Sequence, residues 1–167
     1  MKIKTIDIEL AIMDYFKFNR QLIVPNLSYT FLFETDMVVI SKSGYAHGFE
    51  IKVSKSDLKN DLSKPHIANL DKFVFGKTGF ERWFRKFKHF SYAVSSDLEE
   101  EALNQIPDFF GLYTLSVTES SYPLFKEIKK PKKLFNYKLN DKEIYNIQRL
   151  AAMRIYGLKS KIRDLKN

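Results

Sequence analysis

At 167 residues the chain is long enough to bury one sizeable core, and a hydrophobic content of 44% is ordinary for a globular domain. The absence of cysteine excludes disulfides and thiolate-held metals, and no apolar run approaches the ~20 residues that cross a bilayer. A net charge of +8 suits a polyanionic partner, although a merely basic soluble protein would carry the same charge.

The opening segment, MKIKTIDIEL, has no apolar signal core, so a cytoplasmic location without a membrane partner is expected. Residues 3–18 have Ile3, Ile6, Leu10, Met13 and Phe16 at helical spacing and predict an amphipathic helix that also carries Glu9. A strand is expected at 28–33, with Pro25 marking an edge or an irregular start. Asp36–Ser41 (DMVVIS) reads as a second strand, Lys42–Tyr45 as a turn, and His47–Val53 as a third strand closing a hairpin. In that third strand Phe49, Ile51 and Val53 alternate with Glu50 and Lys52, so the two sets face opposite sides of a sheet.

Ser54 followed by Asp57 fits a helix cap, and a charged helix over Asp57–Lys64 should stop by Pro65. Residues 65–88 are the least regular, either a mobile loop or a loop with a short helix at 81–88. Phe90–Val94 reads as a buried fourth strand, and Ser96–Gln105 as a helix with Ser96 and Glu99 as its capping box. Gly111–Val117 is a fifth strand, Lys126–Lys138 a basic connector, and Asp141 to about Lys161 a last helix with Asn140 and Glu143 in capping-box register. A three-strand meander followed by strand–helix–strand predicts one α/β domain over 1–167. Its mixed sheet is flanked by helices, with a core at about 3–118 and the connector and extra C-terminal helix over 119–167.

Positive charge is clustered. Lys72–His89 holds six Lys/Arg against one acid, and Lys126–Lys138 another six against one, both among aromatics. Such clustering suits a nucleic-acid backbone better than scattered charge does. Candidate contacts there are Lys77, Arg82, Arg85, Lys86, Lys88, Lys129, Lys130, Lys132 and Lys133, joined by Lys55, Lys59 and Lys64 of the charged helix. Arg149 and Arg154 of the last helix either touch phosphates or lie on a solvated face. His47, His66 and His89 have no metal-ligand spacing and are expected to be structural or surface residues.

Glu50 and Lys52 project side by side from one strand, and Asp36 comes from its hairpin partner. Convergent carboxylates are what a hard Mg²⁺ or Mn²⁺ ion requires, with the Ile51 backbone carbonyl between them as a further ligand. Lys52 would position or activate a water, or neutralise developing charge. The alternative is a cross-strand ion pair on an ordinary hairpin. Glu34 is an extra ligand or an exposed carboxylate. Glu9 could reach over from the first helix, or lie on its solvated face. Asp61 and Lys64 form a structural pair or line the substrate groove.

Asp36 on the second strand with Glu50-Ile51-Lys52 on the third resembles the PD-(D/E)XK nuclease superfamily, with its restriction-endonuclease-like αβββαβ core. The run EIKVSKSDLKNDLSK is similar to the MmcB-like branch of DNA-repair-associated proteins. The resemblance covers most of 28–118. It implies a Mg²⁺- or Mn²⁺-dependent DNA nuclease with Asp36 and Glu50 as metal ligands and Lys52 as the catalytic lysine. A non-catalytic nucleic-acid-binding module of the same fold is the alternative. Two features depart from the superfamily: Thr35 stands where the signature proline would precede Asp36, and the aromatic-basic stretch 72–88 has no counterpart. Homodimerisation and recruitment by a protein partner are both left open.

Overall fold

The structure is a computed structural model that describes residues 2–27, 31, 33–64, 67, 80–117 and 123–164. Its centre is a six-stranded mixed sheet with strands in sequence order: β1 (Leu22–Leu27), β2 (Thr35–Ile40), β3 (Ala46–Lys52), β4 (Phe87–Ser95), β5 (Gly111–Val117) and β6 (Pro123–Lys129). β1, β2 and β3 form an antiparallel meander, β3, β4 and β5 run parallel, and β6 returns antiparallel. The described helices are α1 (Thr5–Tyr15), α2 (Lys55–Leu62), α3 (Phe80–Phe84), α4 (Glu99–Gln105) and α5 (Asp141–Asp164). The chain is therefore an α/β protein.

Both faces of the sheet are covered. On one, Ile8 and Ile12 of α1 pack with Met37, Val39, Phe49, Ile51, Ala93 and Tyr113. On the other, Leu58 of α2, Phe84 of α3, Ala102 of α4 and Ile147 of α5 close over a core rich in phenylalanine, including Phe87, Phe90 and Phe110. The alternation read in β3 is the one observed. Phe49 and Ile51 face α1, and Glu50 and Lys52 face α2, with all four buried.

The first strand differs from expectation. Most of 28–33 lies outside the described residues, and the strand pairing with β2 is Leu22–Leu27, with Pro25 inside it opposite Met37. Proline is tolerated because β1 is an edge strand and gives up no ladder bond on its open side. Arg154 of α5 donates to the Pro25 and Asn26 carbonyls, which places it on the strand backbone.

Other boundaries also move. Part of the expected basic connector is β6, so the sheet extends past residue 118, and only 130–140 is irregular. The helix expected at 81–88 is α3, after which Phe87, Lys88 and His89 belong to β4. Ser96 opens a single 3-10 turn before α4, and no side-chain cap forms there. Two other caps form as read. Ser54 accepts the Asp57 N–H at 3.2 Å, and Asn140 and Glu143 exchange bonds of 3.0 Å.

Candidate active site

Glu50 and Lys52 are two residues apart on β3, so both reach the α2 face of the sheet. The β2–β3 ladder runs from Ile40 opposite Ala46 to Met37 opposite Phe49. One step further, the Asp36 side chain replaces the ladder: its Oδ2 accepts the Ile51 N–H at 2.7 Å. In an antiparallel pair a residue's N–H and C=O face the same neighbour, so the Ile51 carbonyl faces this gap as well.

The gap is filled by one cation. Lys52 Nζ lies 2.8 Å from Glu50 Oε2, 3.4 Å from Asp36 Oδ2 and 3.3 Å from Asp61 Oδ1, with its side chain only 5% exposed. Asp61 comes from the last turn of α2, on the same helix face as Leu58, and is itself 1% exposed. Its Oδ2 accepts the Tyr92 hydroxyl at 2.7 Å and its Oδ1 binds Lys64. Tyr92 stands beside Glu50 across the β3–β4 ladder. Carboxylates from β2, β3 and α2 thus share the Lys52 ammonium.

Burial and neighbouring charge set the protonation. Glu50 is pushed up to about 8, mainly by burial and then by Asp36 and Asp61, against the attraction of Lys52. Burial alone would lower Lys52, but Glu50, Asp36 and Asp61 outweigh it and hold the ammonium above the ordinary lysine value. Burial would raise Asp61, yet Lys52, Lys64 and Tyr92 hold its carboxyl below the usual carboxylate range. Tyr92 is raised by burial and then by Asp61, so it remains a hydroxyl donor. Lys52 is consequently a proton-bearing group throughout the neutral range.

The remaining candidates separate. Glu9 on α1 is partly buried, and its carboxyl is raised by burial and then by Asp36, so it lies within electrostatic reach of the cluster. Glu34 precedes β2 and is exposed. Lys55 and Lys59 pair with Glu101 of α4 at 3.1 and 3.6 Å, and Lys64 belongs to the Asp61 network. Lys86 is bound by Glu143 at 2.6 Å, and Lys129 donates to the Pro107 carbonyl. Lys88 sits over the Tyr45 ring, Arg85, Lys130, Lys132 and Lys133 are exposed, and Arg82 lies on α3. Lys77 and His66 lie outside the described residues. Trp83 packs edge-on against Phe33, as a satellite of the core.

Sequence reasoning offered Asp61 and Lys64 as a structural pair, which the structure forms, but did not bring Asp61 to Lys52 or see Tyr92 as its partner. The available signal was spacing, because Asp61 falls three residues after buried Leu58 and so on the helix face turned to the sheet.

The fold and this cluster define an α/β protein with a buried carboxylate–lysine network at one end of a mixed sheet. No protein-family model matches the chain, and no curated protein matches it. Its structure is similar to that of a protein of unknown function from Silicibacter pomeroyi, with a TM-score of 0.60 and 13% sequence identity. The match covers 100% of this chain and 97% of that one, a likeness of fold over the full length.

Proposed function

We propose that the chain is a metal-dependent DNA phosphodiester hydrolase of the PD-(D/E)XK type, acting in DNA repair or processing. The observation that carries this reading is the convergence of Asp36, Glu50 and Lys52 on the gap where the side chain of β2 takes over from the β2–β3 ladder. Among the described residues no three acidic or histidine side chains form a ready-made metal cage. A magnesium site does not need one, because it takes one or two carboxylates and keeps several waters. Asp36, Glu50 and the Ile51 carbonyl are hard oxygen donors facing one gap, and they fit such an ion. When bound, Mg²⁺ or Mn²⁺ would polarise the phosphate and acidify a water.

The chain's own groups then divide the work. Lys52, held as an ammonium, donates hydrogen bonds to a phosphate oxygen or to the attacking water and offsets charge as it develops. It is not the base. Asp61, fixed by Tyr92 and Lys64, holds the ammonium from α2.

A non-catalytic nucleic-acid-binding module is favoured by a different observation: Lys52 already balances the carboxylates without any metal. Labelled single-stranded, duplex and branched DNA, incubated with Mg²⁺, Mn²⁺ or EDTA, separates the two. The nuclease reading expects metal-dependent cleavage that Asp36→Asn and Lys52→Met abolish while DNA binding persists. Binding without cleavage on every substrate, unchanged in both variants, selects the binding module.

A further inference from the structure

A cavity opens at the other end of β3, away from the Lys52 network. His47 precedes Lys52 by five residues, roughly 16 Å along the strand, and faces the α1 side of the sheet. The cavity has a volume of about 280 Å³, and Phe16, Ser43, Tyr45, His47, Lys88 and His89 line it. No carboxylate lines it among the described residues.

The wall is built to attract negative charge. Lys88 Nζ stands 4.1 Å over the Tyr45 ring, and Lys130 and Lys133 lie near enough to act on His89. The His47 and His89 rings meet edge to face, 5.6 Å between centroids. His47 Nε2 pairs with Ser91 Oγ at 2.8 Å, which fixes that ring from the sheet side. His89 Nδ1 lies 3.3 Å from the Lys132 carbonyl. A carbonyl only accepts, so Nδ1 carries the hydrogen and Nε2 is the position left for a ligand. One lysine and two imidazoles beside an aromatic ring, with no acid among the lining residues and two further lysines near His89, match a compact oxyanion. The volume admits a phosphate with its sugar.

We propose that this cavity binds a phosphomonoester, either a free nucleotide or the terminal phosphate of an oligonucleotide, through Lys88 and His89. It is distinct from the proposed hydrolytic site, so the two stand or fall separately.

The test titrates the full chain, in metal-free buffer, with inorganic phosphate, adenosine 5′-monophosphate, and one single-stranded oligonucleotide bearing either a 5′-phosphate or a 5′-hydroxyl. The ring-proton signals of His47 and His89, identified with His47→Gln and His89→Gln, report binding, and calorimetry gives affinity. Phosphate and the mononucleotide are expected to shift both signals. Lys88→Met should weaken binding by about tenfold or more, as loss of a charge-assisted bond does. Tighter binding of the 5′-phosphorylated oligonucleotide than of its 5′-hydroxyl form assigns the ligand to a nucleic-acid end. Equal binding of those two, with the mononucleotide bound, assigns it to a free nucleotide. His89→Gln, with an unchanged unfolding midpoint, guards against a folding defect in the lysine variant. Silent histidine signals with every phosphate, or unchanged affinity in both Lys88→Met and folded His89→Gln, would overturn the proposal.

Discussion

Lys52→Met keeps most of the side-chain volume at a position that is 5% exposed, and deletes the charge shared by Glu50, Asp36 and Asp61. Removing one member of a buried ion pair costs about 3–5 kcal/mol when its partner stays charged. Glu50 has another route, because it already stands near 8 and carries its proton at pH 6. Without Lys52, whose attraction lowers it, the Glu50 carboxyl rises further. A carboxyl raised in the folded state holds a proton that the unfolded chain has released, so stability falls as pH climbs from the unfolded value to the folded one. In the wild type that fall ends near pH 8; in the variant it continues. The stability gap between the two proteins should therefore widen above pH 8 by about 1.4 kcal/mol per pH unit. The lysine itself adds no slope in this window, since its folded value is raised and its unfolded value lies higher than pH 9.5. Urea unfolding of both proteins at pH 6, 7, 8, 9 and 9.5 measures the gap. A gap that is constant or shrinks with pH refutes the shared-charge account.

Tyr92→Phe removes one donor from buried Asp61 and should cost about 1–2 kcal/mol in urea unfolding, since the aspartate keeps Lys52 and Lys64. No measurable loss would mean that the hydroxyl is not the aspartate's anchor. Gly48→Ala would bring a methyl within 2.7 Å of the buried Phe87 and Phe90 rings. Overpacking of that kind should lower stability by about 1–3 kcal/mol, visible as a lower melting temperature. DNA binding through the basic residues should weaken steeply with salt, with a log–log slope of about 3 or more, and a flat plot would remove backbone phosphate as the contact.

What could be read from sequence was local. The β2–β3 hairpin and the shared face of Asp36, Glu50 and Lys52 follow from strict alternation and a short turn, and the caps at Ser54 and Asn140 follow from side chains three residues apart. What could not be read depends on distant partners. Pro25 argues against a strand unless β1 is known to be an edge, and the group on its carbonyl, Arg154, is far along the chain. β6 resists detection because its lysines and Glu127 mask the alternation, and charged residues are what an exposed edge strand commonly carries. The basic candidates show the same limit. Lys55 and Lys59 are indistinguishable by sequence from free surface lysines, yet α4 brings Glu101 to both.

The Lys52 cluster also constrains chemistry through its excess of acid. A buried ion pair is seldom the most stable filling for a core, because apolar residues of similar volume do as well. Here a third carboxylate, Asp61, is brought up to an ammonium that already has two, and a tyrosine and a second lysine are needed to hold it ionised. The result is a lysine kept protonated and a glutamate kept poised near neutrality within bonding distance of each other. For the proposed hydrolysis this division matters. A base for water must lose its proton near pH 7, and Lys52 does not. The carboxyl of the cluster raised into that range is that of Glu50, at about 8, while Lys52 remains the electrophilic partner that a phosphate oxygen would meet.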